Sequence, residues 1–144
     1  MTKILLGSDH AGFELKEAIK AYLQKKKIPL DDMSPKLVPG DDYPPIAHAV
    51  AKKVAKDKKA AAILFCGSGL GMDIAANRVR GARATVVRNI KEARLSRADD
   101  HANILVLGGR LTDAAMAKLI VTAWLETPYS TAKRHERRVK ELDV

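Results

Sequence analysis

Short apolar runs alternate along the chain with longer segments whose apolar residues recur at helical spacing. Residues 3–7 read as a short buried strand, and residues 13–27 carry Leu15, Ala18, Ile19, Tyr22 and Leu23 at intervals that face one side of a helix. A brief strand near residues 28–30 and a Pro-rich loop over 33–45 lead to a second helix, which Pro44 and Pro45 can start and in which Ile46, Val50 and Val54 recur every fourth residue. The apolar run 61–66 predicts a third strand; it ends in a glycine cluster, after which residues 72–78 have room for only two helical turns. Beyond it, 82–87 read as a strand, 91–98 as a helix, 104–107 as a strand and 113–125 as a helix capped by Thr112 or Asp113. A last helix, 132–142, follows Pro128 and is too polar for a core element, so its expected packing partner is another subunit.

Five strands alternating with helices predict an α/β fold. Each right-handed crossover lays its helix against the sheet, which makes the sheet parallel and covers both of its faces. With 144 residues and no repeat, linker or low-complexity tract, one domain over 1–144 is expected. Aromatics are only 4% of the chain against 22 alanines, so the core is expected to be aliphatic and closely packed. The longest apolar run, 60–66, is far below the roughly 18 residues that span a bilayer. The amino-terminal residues turn polar too soon for a signal peptide, so a cytoplasmic protein that avoids membranes is expected.

A formal charge of +9 makes an anionic partner plausible, either a phosphorylated metabolite or nucleic acid. Much of the excess lies in 52–59 and 133–140, with a triplet at 25–27, and two of these, the Lys-rich patches, read as solvated helix faces. Nucleic acid is disfavoured because the six aromatics do not cluster into a stacking platform and the basic residues lie on separate helices. The single cysteine, Cys66, excludes an intramolecular disulfide. No His, Cys or carboxylate set has metal-ligand spacing, so no metal is expected.

In a sheet of this kind ligands bind beyond the carboxyl ends of the strands. Three suggestive segments fall there: Ser8-Asp9-His10-Ala11-Gly12, Cys66-Gly67-Ser68-Gly69-Leu70-Gly71 and Gly108-Gly109-Arg110. The glycines after Cys66 let backbone amides approach an anion, or else serve tight helix packing. They match neither a dinucleotide fingerprint nor a P-loop. Cys66 faces that loop, where thiolate is favoured and can act as base or nucleophile, although a lone cysteine ending an apolar strand is also a common inert core residue. Asp9 and His10 offer an acceptor and a switchable donor, or a helix cap. Arg134 and Arg138 share a helix face and can grip one phosphate, or simply form a solvated basic surface; Arg137 points about 100° away. His48 reads as structural.

Together with Asp42-Tyr43-Pro44, Ile74-Ala75-Ala76-Asn77, Leu95-Ser96-Arg97, Asn103, Ala123-Trp124-Leu125 and Arg134-His135-Glu136-Arg137-Arg138, these motifs resemble, in order and spacing, ribose-5-phosphate isomerase type B. The resemblance implies a Rossmann-like three-layer α/β/α sandwich. It also implies a homodimer, with pairing of dimers into a tetramer left open, active sites shared between subunits, and cofactor-free interconversion of aldose and ketose phosphates. By the same resemblance Cys66 is the base between C1 and C2, the amides of Gly67, Gly69, Leu70 and Gly71 hold the enediolate oxygens, and Ser68 assists at O1 or O2. Asp9 and His10 would hold sugar hydroxyls and phosphate, while Arg110, Arg134 and Arg138 would bind phosphate from the partner subunit. A Glu base used by some members has Met72 in its place here, which favours Cys66.

The chain departs from the pattern at 97–103, where the family's Arg-x-His-Asn-Asp/Asn becomes Arg97-Ala98-Asp99-Asp100-His101-Ala102-Asn103. Asp99 stands where the ring-opening His belongs and Asp100 where a hydroxyl-binding Asn belongs. Ring opening then falls to Asp99, to His101, or to solvent. Two other functions remain open on the sequence: an isomerase of a six-carbon allose or galactose phosphate, and a basic anion-binding module without catalysis.

Overall fold

The computed structural model describes residues 3–143. Its five strands form one all-parallel sheet in the order β2-β1-β3-β5-β4, where β1 is Ile4–Ser8, β2 Leu30–Asp32, β3 Ala61–Cys66, β4 Ala84–Val86 and β5 Ile104–Gly108. The helices are α1 Phe13–Lys25, α2 Tyr43–Lys56, α3 Leu70–Ala76, α4 Ile90–Ala98, α5 Ala114–Glu126 and α6 Lys133–Leu142. Every expected element is present.

Strand alternation divides the core into two layers. Ile4, Leu6, Ile63, Phe65, Leu105 and Leu107 meet Ile19, Leu23, Ile120 and Trp124 of α1 and α5. Leu5, Ala62, Leu64, Cys66, Ile104 and Val106 face Val50 and Val54 of α2 and Met72 of α3 on the other side. A three-layer α/β/α sandwich follows, with Cys66 on the α2–α3 face. The sheet order reverses direction between β1 and β3, which opens a crevice at their carboxyl ends.

Several boundaries differ from the sequence expectation for local reasons. The first helix stops at Lys25 because Lys27 takes φ +59° and the Ile28 N–H reaches back to the Leu23 carbonyl, a left-handed C-terminal lock. The third helix begins at Leu70 rather than Met72, since Gly69 at φ +82° turns the chain directly into it. Asp113, not Thr112, caps α5 by accepting from the Met116 N–H at 2.8 Å. No residue of α6 is buried; its far end is tied down where Asp143 accepts from the Gly81 N–H at 3.1 Å. Among the described residues no helix is long and apolar enough to cross a membrane.

Candidate active site

Three strand ends build one cleft of about 420 Å³. Asp9 and His10 follow β1, Cys66, Gly67, Ser68 and Gly71 follow β3, Arg110 and Leu111 follow β5, and Tyr43 at the start of α2 forms a wall. The β3 loop is locked to the β5 turn: the Gly109 N–H donates to the Cys66 carbonyl at 2.7 Å and the Arg110 N–H to the Gly67 carbonyl at 2.9 Å.

Cys66 is 5% exposed, and its Sγ accepts a hydrogen bond from the Gly69 N–H at 3.1 Å. Ser68 Oγ accepts from the Leu70 N–H at 3.2 Å. The glycines have distinct steric tasks: a Cβ on Gly71 would lie 2.6 Å from the Tyr43 hydroxyl, and one on Gly67 would lie 3.1 Å from Arg110 Nη1. Asp73, nearby in sequence, is consumed by structure, accepting from the Val86 N–H and the Asn77 amide, both at 2.8 Å.

Asp9 is buried, and its Oδ1 accepts from the Gly12 N–H at 3.0 Å, so it shapes the turn into α1 while lining the cleft. His10 is held by Asp41, a residue 31 positions away. Arg110, expected to reach in from a second subunit, instead lines the cleft of its own chain, carried there by the short turn after β5.

Asp99, Asp100, His101, Arg134 and Arg138 lie elsewhere. Asp99, Asp100 and His101 come just before β5 begins, at the amino edge of the sheet, opposite the edge where Cys66 ends β3. Asp99 Oδ1 is 3.7 Å from His135 Nε2 on α6, and His135 Nδ1 is 2.8 Å from Ser130 Oγ. His101 stacks on Tyr129 with ring centroids 4.4 Å apart, and its Nε2 lies 2.9 Å from the Ser130 carbonyl. Arg97 sits over the rings of Trp124 and Tyr129, and burial pushes its guanidinium below its ordinary pKa although Tyr129 works the other way. Asp100 rims a hollow of about 470 Å³ with Arg78, Arg80 and Arg83. Arg134 and Arg138 are exposed on α6. One chain therefore brings Asp9, His10, Cys66, the Gly67–Gly71 loop and Arg110 together and keeps the second set apart.

Sequence reasoning gave Tyr43 no role, although it belongs to one of the quoted motifs, and it passed over Asp41, whose only signal was its place in the Pro-rich loop. The pairing of His135 with Asp99 depends on how α6 folds back and leaves no trace in spacing.

Comparison with known proteins places this geometry. The Ribose/Galactose Isomerase family model matches residues 4–142. Ribose-5-phosphate isomerase B of Mycolicibacterium paratuberculosis is 41% identical over 141 residues, covering 97% of this chain and 89% of that protein. The crystal structure of a ribose 5-phosphate isomerase from Thermotoga maritima superposes with a TM-score of 0.93 at 45% identity, covering 98% of this chain and 97% of that one. Ribose-5-phosphate isomerase B of Mycoplasma genitalium, solved with bound ribulose-5-phosphate, gives a TM-score of 0.92 at 37% identity, covering 97% and 93%.

Proposed function

The chain belongs to the Ribose/Galactose Isomerase family and is a sugar-phosphate isomerase, and from that premise we propose that it interconverts ribose 5-phosphate and ribulose 5-phosphate through an enediolate, with Cys66 as the base and no cofactor. The observation that carries this reading is the position of Sγ: it lines the cleft, receives the Gly69 N–H at 3.1 Å, and is framed by Asp9, His10 and Arg110.

The chemistry follows from these groups. In the open aldose the Cys66 thiolate takes the proton from C2, a C1–C2 double bond forms, and the carbonyl electrons move onto O1. A proton passes from O2 to O1 with the Ser68 hydroxyl as carrier, and the thiol returns its proton to C1 as the ketone forms at C2. In this scheme the amides of Gly67 and Gly71, joined by those of Gly69 and Leu70 when these leave Cys66 Sγ and Ser68 Oγ, serve the developing oxyanion, which is where such donors accelerate most. Charge-assisted bonds from Arg110 hold the phosphate. Asp9, whose second carboxylate oxygen is not used by Gly12, takes a sugar hydroxyl.

Asp99, Asp100, Arg134 and Arg138 enter this scheme from the second subunit of a homodimer. The location of Asp99 and Asp100 at the amino edge, together with an α6 on which Arg134 and Arg138 are exposed, supports a site completed across subunits. Asp99 is favoured over His101 for ring opening, because the His101 ring is engaged by Tyr129 and Ser130 while the Asp99 carboxylate is 43% exposed.

The decisive experiment assays five- and six-carbon aldose and ketose phosphates without added metal, on the parent protein and on Cys66→Ala. Turnover of ribose 5-phosphate above all six-carbon substrates, abolished in a folded Cys66→Ala, is expected. Retained turnover within about tenfold of the parent excludes Cys66 as the base. Preference for allose or galactose 6-phosphate reassigns the sugar.

A further inference from the structure

The turn that carries Asp99 and Asp100 is held from the core by a run of stacked planes. Trp124 is fully buried on α5, and the Arg97 guanidinium carbon lies 4.3 Å from the centre of its ring and 4.5 Å from that of Tyr129. The Tyr129 ring in turn lies 4.4 Å from the His101 ring, with 2° between the planes. Polar contacts close the run on itself. Arg97 Nη1 donates to the Ala102 carbonyl and, at 3.0 Å, to the Tyr129 hydroxyl, which donates to the same carbonyl at 3.3 Å. Among the described residues no carboxylate pairs with Arg97, so rings and oxygens are what hold it.

Ser130 grips both sides of the turn. Its N–H donates to the Ala98 carbonyl at 2.9 Å, and its carbonyl accepts from His101 Nε2 at 2.9 Å, since a carbonyl oxygen can only accept. His101 itself sits at φ +50°, in the left-handed region, where a residue with a side chain stays only if its surroundings hold it. Between these anchors the Asp99 side chain makes no hydrogen bond among the described residues, and its contact with His135 is a loose 3.7 Å. The backbone turn therefore aims the carboxylate.

We infer that His101 and Tyr129 are positioning residues of ring opening: the stack anchored on Trp124 fixes the turn in the shape that presents Asp99 to the sugar in the site shared with the second subunit, and neither ring touches substrate. An acid has to lie within hydrogen-bond reach of the oxygen it protonates, so a turn that drifts by an ångström loses the reaction without losing the fold. The inference rests on the role of Asp99 in the proposed reaction, whereas the hold of the stack on the turn does not.

A double-mutant cycle with Asp99→Asn separates positioning from bulk stability. His101→Gly leaves a residue at ease at φ +50° and removes the ring, Tyr129→Leu removes the plane between Arg97 and His101, and Tyr129→Phe keeps that plane. His101→Gly and Tyr129→Leu are each expected to lower kcat on ribose 5-phosphate about tenfold with KM changed less than about twofold, and Tyr129→Phe to stay within about threefold of the parent. With Asp99→Asn already in place, adding either ring-removing change should alter kcat by less than about twofold, because no acid is left to aim. Full turnover in both ring-removing variants, or the same tenfold loss on top of Asp99→Asn, overturns the inference. Parent-like turnover in Asp99→Asn beside a slow His101→Gly overturns it as well, because His101 would then be the acid itself. Amide hydrogen exchange over residues 99–102 should be faster in Tyr129→Leu than in the parent whatever the substrate, and unchanged exchange refutes the hold of the stack. A parent without isomerase turnover that still shows this difference in exchange refutes the substrate reading and supports the hold.

Discussion

The Gly69 N–H reaches Cys66 Sγ because Gly69 sits at φ +82°, in the left-handed region, three residues beyond the cysteine. The same residue is the N-cap of α3, so one backbone angle sets both the sulfur's partner and the start of the helix that follows it.

Replacing Gly69 with Ala tests that dependence. A left-handed residue with a Cβ costs roughly 1–2 kcal/mol, and this Cβ would sit 2.7 Å from Val86 Cγ2. The expected outcome is a lower melting temperature and a turnover reduced by more than about tenfold. A destabilised variant with full turnover would show that the loop amides are not part of the chemistry.

Arg134→Ala and Arg138→Ala should each raise KM for the phosphorylated substrate, by about tenfold for a lost charge-assisted contact. Arg137→Ala should not, since that side chain lies 3.8 Å from Glu141 along its own helix. Mixing Cys66→Ala with Arg134→Ala protein should regain activity through hybrid dimers, each holding one intact composite site. Confirmed subunit exchange with no regain would mean that each site is built from one chain.

Asp99→Asn should slow ribose 5-phosphate, mostly a closed ring, far more than ribulose 5-phosphate, which forms no such furanose. His135→Ala should share part of that defect, because His135 is the basic group facing the Asp99 carboxylate at 3.7 Å. Equal slowing of both directions, corrected for the equilibrium constant, excludes Asp99 from ring opening, and a selective aldose defect in His101→Ala instead would transfer the role there.

The Lys16–Asp32 pair predicts how stability responds to acid. Burial opposes the Asp32 charge, but hydrogen bonds from Lys16, Lys20 and the Ser34 N–H outweigh it and hold the carboxyl below its ordinary value of 3.8. The stabilisation is therefore complete above that value and is lost as pH falls through the lower folded-state pKa. Asp32→Asn leaves the fully buried Lys16 ammonium without its carboxylate, at a cost of about 3 kcal/mol. Melting temperatures compared between neutral pH and the carboxylate range should show the parent's advantage over Asp32→Asn shrinking with acid; a constant gap would rule out the ionic account.

Much of this was legible in the residues. The strand ends carried the chemistry, and Cys66, Asp9 and the glycine loop fell into one cleft because a parallel sheet aligns all its carboxyl ends. Local backbone was less legible: nothing in the pattern marks Lys27 as left-handed, so the first helix read two residues too long. Long-range polar pairing was hidden, as with Asp41 on His10 or Asp32 on Lys16, because such partners obey no period and are chosen by how a loop is pinned. Arg110 was expected from a partner subunit and lines the cleft of its own chain, because a resemblance supplies residues without the turn geometry that decides which cleft they line.

The Tyr43 ring occupies the space that any side chain at position 71 would need. Changes to this wall of the cleft are consequently coupled: alanine at 71 has to displace the partly exposed Tyr43 ring, and meets no such ring once position 43 is shortened, so the two substitutions are not additive. A laboratory selection that reshapes the cleft from this side therefore gains from varying positions 43 and 71 together, because the effect of a residue at either depends on what stands at the other.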